Sequence, residues 1–400
     1  MDSRNALILN RNEERRLRAG HLWVFSNEVD KQRSPLKSFE PGQCADVIDA
    51  NGKPLGTALV NPHSLICARL ISRKPGTKPS AKWFQRRLTA ALALRDRHYP
   101  RPYYRLVYGE SDGLPGLILD RFGDIIVGQL NTAGMDGLRN DIESALAATV
   151  APAGILWRND SPVRELEGLS REIVPGSGQI PERVTVIEGG LRFGLDLMSG
   201  QKTGWYFDQQ ANRARVWPLL GECERVLDLY AYHGAWGIGA AALGAGHVHC
   251  VDSSPQAVAA IETDAATNGV SRSLKATRGD AEAIMDELLA DKARFDAVII
   301  DPPAFAPRAK DVKPALKAYR RINEKALRLV EPGGLLISLS CSAHVHEDRY
   351  EAILLQAARH IDRDLQILMR LEQGPDHPVH PAIAETRYLK GRVARVIPSY

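Results

Sequence analysis

The stretch Phe295-Asp-Ala-Val-Ile-Ile-Asp301-Pro302-Pro303-Ala-Phe305 is a short apolar run that stops at an acid and then at two prolines. It reads as a buried strand whose carboxyl end opens into a stiff polar turn. In an open parallel sheet, ligands bind at that end of the strands. Forty residues on, Gly334-Leu-Leu-Ile-Ser-Leu-Ser340-Cys341-Ser342 ends in the same way, with a thiol in place of the acid. Neighbouring strands lie about 4.8 Å apart, so as neighbours the two runs would face Asp301 and Cys341 into one cleft. An acid and a thiol at strand ends point to covalent chemistry.

Outward from this stretch the chain alternates strand and helix patterns from Arg225 to Ala358, which predicts a doubly wound, mostly parallel sheet. The first strand runs into Asp228-Leu-Tyr230-Ala-Tyr232-His-Gly234-Ala-Trp-Gly237-Ile-Gly239. A glycine turn there lets a ligand approach the backbone and a helix N-terminus. The second strand ends at Asp252, placed to accept hydrogen bonds from a ribose diol, and the third at Arg278-Gly279-Asp280, which can meet an adenine amino group. A dinucleotide site needs G-x-G-x-x-G to seat a pyrophosphate. Here the spacing is Gly234-x-x-Gly237-x-Gly239, and the preceding Asp228 would repel a pyrophosphate but can hold the ammonium of an amino-acid ligand. That favours S-adenosylmethionine over a nicotinamide cofactor. In such a setting Asp301-Pro-Pro-Ala-Phe305 fits a nucleobase reader, its prolines fixing the backbone and its acid meeting a ring nitrogen or amine.

Residues 1–73 show short apolar runs broken by turn signals, including the hairpin signal Asn51-Gly52, and predict a small β-rich module. From Arg73 to Arg105 there are ten Lys or Arg against the single acid Asp96, interleaved with Trp83, Phe84, Tyr99, Tyr103 and Tyr104. Basic side chains neutralise phosphates and exposed aromatics stack on bases, although an amphipathic helix with a wet basic face is the ordinary explanation. Residues 74–180 read as an α+β module, with turns at Asp112-Gly113 and Gly123-Asp124, and residues 174–183, rich in proline and glycine, as a linker to a third module at 181–400.

The 400 residues are 44% apolar and carry a formal charge of +4, compatible with nucleic acid without requiring it. The N-terminus, Met1-Asp-Ser-Arg-Asn, has no signal-peptide pattern and no apolar run is long enough to span a bilayer, so a cytosolic location without membrane contact is expected. Five scattered cysteines without C-x-x-C spacing indicate neither a disulfide frame nor a metal site.

Taken together, Gly20-His-Leu-Trp-Val-Phe, Gly109-Glu-Ser-Asp-Gly-Leu-Pro-Gly-Leu, Lys202-Thr-Gly-Trp-Tyr-Phe-Asp-Gln, Asp301-Pro-Pro-Ala-Phe and Ser340-Cys-Ser give the chain a resemblance to the ribosomal RNA large subunit methyltransferase I family. The resemblance implies a Rossmann-like class I methyltransferase domain preceded by a PUA-like domain and a small α+β domain. It also implies S-adenosyl-L-methionine as cofactor, 23S rRNA as partner and cytosine C5 as the methylated atom. By the same resemblance Asp228, Gly234, Asp252, Asp280 and Asp301 line the cofactor or base pocket, with Tyr230, Ser253 and Pro302 counted among the cofactor contacts. Phe207, Asp208 and Gln209 close over the cofactor, and Cys341 is the nucleophile. The chain departs from the family at Gln210, where arginine is usual, and at Ala304, where lysine is frequent. A homodimer is compatible with all of this.

Cytosine C5 is a poor nucleophile, and attack of a thiolate on C6 makes it reactive, with Asp301 stabilising the charge pushed into the ring. A lone cysteine at a strand end is more often packing than chemistry, but a place beside Asp301 reverses that expectation. A base must also remove the C5 proton, and the motif after Asp301 holds no second cysteine to do so. The run Arg308, Lys310, Lys313, Lys317, Arg320 and Arg321 can grip phosphates or serve as ordinary helix surface, and His377 and His380 have no evident role. Two competing readings are a base N-methyltransferase that needs no thiol and a non-catalytic RNA-binding assembly factor.

Overall fold

The computed structural model describes residues 6–198, 200 and 203–399. The N-terminal pentapeptide and Lys202, which opens one of the motifs above, lie outside the described residues. In chain order the elements are β1 (Ala6–Ile8), α1 (Glu14–Arg18), β2 (Trp23–Phe25), β3 (Gln43–Ile48), β4 (Pro54–Val60), β5 (Ile66–Ser72), α2 (Ala81–His98), β6 (Tyr103–Tyr108), β7 (Leu117–Phe122), β8 (Ile125–Leu130), α3 (Ala133–Gly137), α4 (Arg139–Thr149), β9 (Gly154–Asn159) and β10 (Glu172–Gly178). There follow β11 (Arg183–Glu188), β12 (Leu191–Asp196), α5 (Gln210–Gly221), β13 (Arg225–Leu229), α6 (Ala235–Ala242), β14 (His247–Asp252), α7 (Pro255–Thr267), β15 (Leu274–Arg278), α8 (Ala281–Ala290), β16 (Phe295–Ile300), α9 (Val312–Leu329), β17 (Val330–Ser340), α10 (Glu347–Arg359), β18 (Arg363–Glu372) and β19 (Lys390–Pro398). No helix among the described residues is long and apolar enough to cross a membrane.

The chain divides into two compact units. The first holds the residues up to Val184 together with Leu195–Phe207 and Pro375–Thr386. It contains a sheet of order β1-β3-β4-β5-β2 and a second of order β10-β9-β8-β7-β6. The aromatics of the basic stretch are core here rather than a stacking surface: Trp83, Phe84, Tyr99 and Tyr104 are all buried. Helical spacing turns Trp83, Phe84, Leu88 and Ala91 onto one face of α2, where they meet Leu106, Leu119 and Leu146. Residues 174–183, expected as a linker, begin instead with β10, which pairs antiparallel with β9 and shifts register between Pro175 and Gly178. An edge strand tolerates proline and glycine, which is why composition there misleads. The segment with His377 and His380 belongs to this unit, where Asp376 accepts hydrogen bonds from the Tyr99 hydroxyl (2.9 Å) and the Arg105 amide (2.9 Å) and lies 2.9 Å from His377 Nδ1.

The second unit is built on the seven-stranded sheet β15-β14-β13-β16-β17-β19-β18. β13 to β17 pair in parallel, and the last two strands close the edge antiparallel. Alternate residues of the apolar strands enter two separate cores, as a sheet covered on both faces requires. Leu227, Leu229, Val298, Ile300 and Leu336 pack with Met285 of α8, Tyr319 and Ile322 of α9 and Leu354 of α10. Val226, Ala297, Ile299, Ile337 and Leu339 pack with Trp217 of α5, Trp236 of α6 and Ile261 of α7. Ser254 and Asp280 cap α7 and α8 by accepting the Ala257 and Ala283 amides, so the polar residues that end β14 and β15 also start the next helices.

Glycine in α6 permits its close approach to α5, because a Cβ on Gly239 would lie 2.1 Å from the Trp217 indole. Alanine is the better helix former, but the indole is walled in and donates to the Ala235 carbonyl at 3.1 Å. Gly239→Ala should therefore lower stability by about 1–3 kcal/mol, read as a fall in the urea midpoint. An unchanged or raised midpoint would show that this helix contact yields.

Candidate active site

Strand order reverses at β13, with β14 and β15 on one side and β16 and β17 on the other. A crevice opens at the carboxyl ends of strands at such a point. Leu229 pairs with Ile300 and Ile300 with Ser338, so the segments after β13, β16 and β17 leave the sheet at one level. The Cys341 thiol lies 3.8 Å from the Pro302 carbonyl oxygen, which brings the two motifs into contact.

The residues flanking these motifs fix them. Ser340 and Ser342 are fully buried on either side of half-buried Cys341. The Ser340 hydroxyl donates to Tyr319 Oη at 2.9 Å, Tyr319 Oη and Ser342 Oγ are 2.9 Å apart, and the Ala306 amide donates to Ser342 Oγ at 3.1 Å. Phe305 rests on the Tyr319 ring at 4.8 Å between centroids. Tyr319 of α9 thus ties the Asp-Pro-Pro loop to the turn that carries the cysteine. Burial pushes its phenol pKa up and keeps it a neutral hydrogen-bonding group.

Asp301 Oδ2 accepts from Gln209 Nε2 at 2.9 Å and from the Trp236 indole at 3.3 Å. Gln209 Oε1 in turn accepts from Asn212 Nδ2 at 2.8 Å, which orients the amide. Asp208 is buried and hydrogen-bonds the Tyr388 hydroxyl. Phe207, by contrast, belongs to the first unit, where it is buried against Phe122 at 5.1 Å.

At the end of β13 the backbone enters left-handed conformations at Tyr230, Tyr232 and Gly234, with φ of 62°, 53° and 66°. Gly234 caps α6, and this contorted turn directs backbone amides toward two acids. Asp252 accepts from the Tyr232 and Ser254 amides, both at 2.9 Å, and Ser253 beside it is exposed. Asp228 is wholly buried and accepts from the Gly237 amide at 3.0 Å through Oδ2, while its Oδ1 is buried without a hydrogen-bond partner. Burial pushes the Asp228 pKa up to about 7. Asp280 is exposed and serves as the cap of α8. An orphaned buried carboxylate oxygen, a glycine-capped helix and an acid at the end of the next strand fit a ligand that carries an ammonium and a ribose.

No sequence signal marks Lys390, an ordinary lysine at the start of β19. It is buried, with 7% of its surface exposed. Its backbone pairs with Ser340, and its Nζ donates to the Ser342 carbonyl at 2.7 Å and the Tyr388 carbonyl at 2.8 Å. The side chain thus runs from the strand partner of Ser340 to the Ser342 carbonyl. Burial lowers its pKa to about 8 against the opposing influence of Cys341 and Glu347. Of the basic run beyond the Asp-Pro-Pro loop, Arg308 pairs with Asp311 and Arg321 with Glu282, leaving Lys310, Lys313 and Lys317 toward solvent.

Comparison with known proteins gives this crevice its class. Residues 169–391 match the model of S-adenosylmethionine-dependent methyltransferases and residues 7–73 that of a PUA-like domain. The whole fold is similar to a solved methyltransferase complexed with SAH, at a TM-score of 0.84 and 20% identity, covering 98% of this chain and 100% of that one. The chain is an S-adenosylmethionine-dependent methyltransferase. It is 34% identical over 396 residues to the ribosomal RNA large subunit methyltransferase I of Cronobacter sakazakii, covering 98% of this chain and 99% of that protein. It is 35% identical over 398 residues to the protein of the same name from Erwinia tasmaniensis, covering 98% and 99%. The chain belongs to the ribosomal RNA large subunit methyltransferase I family.

The raised pKa of Asp228 has a sign that can be measured. A carboxyl whose pKa is about 7 folded and 3.8 unfolded binds more protons when folded, so stability falls as pH rises through that window. Asp228→Asn keeps the acceptor for Gly237 and removes the charge. The cofactor-free variant should gain stability over the parent at pH 8, by up to about 4 kcal/mol, and gain little at pH 4. Equal differences at both pH values in chemical denaturation would show that Asp228 ionises normally.

Proposed function

We propose that this protein methylates carbon-5 of a cytosine in 23S rRNA through a covalent bond between Cys341 and C6. The observation that carries the reading is the contact between the Cys341 turn and the Asp301-Pro302 loop, with a buried ammonium hydrogen-bonded to the Ser342 carbonyl of that turn. The names of the near-full-length relatives favour large-subunit rRNA as the substrate. In this reading residues 1–73 and 74–180 serve RNA recognition and residues 181–400 catalysis.

Asp228, Tyr230, Gly234, Asp252, Ser253 and Asp280 hold the cofactor, and Asp208 and Gln209 support its pocket. When bound, S-adenosylmethionine supplies an electrophilic methyl group. Asp301, fixed by Gln209 and Trp236, faces N3 and the amino group of cytosine and shares a proton with the ring as charge moves into it. Cys341 attacks as thiolate, forming the S–C6 bond and raising electron density at C5. Once C5 carries the methyl group, a base takes the C5 proton, which restores the C5–C6 double bond, breaks the S–C6 bond and returns the thiolate.

A free thiol is only a few per cent ionised at pH 7. Lys390 acts as a positioning residue whose ammonium favours the charged sulfur, and a buried ammonium is itself most stable beside an opposite charge. Tyr319 and Ser342 hold the turn through their hydrogen bonds, and His344 and His346 on the same loop are exposed.

Cys341→Ala should abolish methylation by at least about 10³-fold while cofactor binding persists, and bisulfite sequencing should locate one cytosine in 23S rRNA that loses methylation without this protein. A fully active Cys341→Ala would instead favour a base N-methyltransferase, and failure to bind S-adenosylmethionine would favour an assembly factor.

Lys390→Met should slow alkylation of Cys341 by iodoacetamide about tenfold at pH 7 and move its rate profile to higher pH, with Lys390→Arg retaining most of the parent rate. Site-resolved mass spectrometry separates Cys341 from the other thiols, of which Cys44 and Cys223 are pushed by burial to about 11. An unshifted profile in Lys390→Met would remove the lysine from this role.

A further inference from the structure

The first unit contains a cleft of about 640 Å³ that the methyl-transfer chemistry does not use, lined by Arg73, Arg86, Arg87 and the Glu110-Ser-Asp-Gly113 turn. Its two acids are already committed. Asp112 takes both arms of Arg95, at 2.6 and 2.8 Å, together with the Tyr108 amide at 2.6 Å, and Glu110 accepts the Trp23 indole at 2.8 Å with Arg69 at 3.7 Å. Among the described residues no carboxylate pairs with its three arginines. Arg73 donates only to the carbonyls of Leu17 and His21, and Arg87 to the carbonyl of Ile71 at 2.6 Å, while Arg86 is exposed.

Arg87 is the most constrained of the three. Its guanidinium lies 4.3 Å from the centre of the Trp83 ring and close over Gly113, where a Cβ would come within 2.4 Å of Nη1. Gly113 also has φ of 68°, so glycine serves here both the turn and the guanidinium. Among the described residues Arg87 Nε is buried without an acceptor, and the Ser111 hydroxyl, which also lines the cleft, is buried without a partner. Burial lowers the Arg87 pKa, and the charge of Arg86 lowers it further. Two buried donors without partners, beside three cations without counter-charges, call for an anionic oxygen ligand.

We propose that this cleft is a phosphodiester-binding site for the RNA substrate, with Arg87 and Ser111 holding phosphate oxygens and Arg86 and Arg73 at its rim. The inference rests on the RNA reading above and adds to it a site built on α2 and the Gly109–Gly113 turn. An α2 whose aromatics face the core has only its charged face to offer RNA, so recognition here works through phosphates and not through stacked bases.

The full-length protein and protein-free large-subunit rRNA, titrated between 50 and 300 mM salt, test this. Loss of one phosphate contact in Arg86→Gln should reduce the slope of log affinity against log salt by about 0.7 and weaken binding about fourfold at 0.15 M, with Arg86→Lys restoring most of it. Arg87→Gln should lose at least as much. Lys292→Gln, at an exposed residue of the turn between α8 and β16, is the charge control and should leave the slope unchanged. If the parent binds rRNA and both arginine variants behave as Lys292→Gln does, the cleft is not the site. If the parent itself shows no salt-dependent binding, the RNA reading falls and the cleft's assignment falls with it.

Discussion

Everything at the candidate active site depends on the parallel register of β13, β16 and β17. A parallel ladder buried on both faces favours apolar side chains, and its strands all point one way, so the polar residues that follow them emerge along one edge. Ile299, Ile300 and Leu339 are wholly buried, and Asp301 and Cys341 follow as soon as the sheet ends. A one-residue slip would exchange the two cores and turn the strand-end groups away from one another. The site is therefore held by hydrophobic packing far larger than any interaction within it.

Polar contacts then refine what the register places. Tyr319 reaches from α9 to both serines around Cys341 and stacks against Phe305, so one phenol sets the spacing between two loops. Ser338, also buried, hydrogen-bonds Asn323 at 2.6 Å and Tyr350 at 2.7 Å, extending the same network beneath the turn. Every member has a partner, the condition under which a buried polar network stiffens a structure rather than weakening it. The thiol stands at the end of a braced strand, and what remains adjustable is its charge.

The parallel half of the fold is legible because β13, β16 and the end of β17 are mostly apolar runs, and α6, α7 and α8 start at a glycine, a proline and a capping acid. Asp301-Pro-Pro and Ser340-Cys-Ser stand out for the same reason, as abrupt changes of character at the end of such a run. β18 and β19 do not stand out, since Arg363–Glu372 is a half-exposed edge with mixed polarity and Lys390–Pro398 carries Arg392 and Arg395 within it. β10 is hidden by its proline and glycines. Lys390 is hidden differently: it meets Ser342 across 48 residues, and Gln209 meets Asp301 across 92, so no local pattern records either pairing. Local signals place the ends of elements, whereas partnerships that tune charge are made by topology.

The aromatics of the basic stretch show what composition alone conceals. Ten cations beside five aromatic rings have the composition of a surface that stacks bases, yet burial assigns four of those rings to the core. Burying Trp83 leaves a ring face available to Arg87, and a guanidinium braced on an indole has lost much of the freedom that ligand binding would otherwise cost. The same ring thus stabilises the module and preorganises a cation. Aromatic and basic residues still act together in α2, with the aromatics as the support and the cations as the contact.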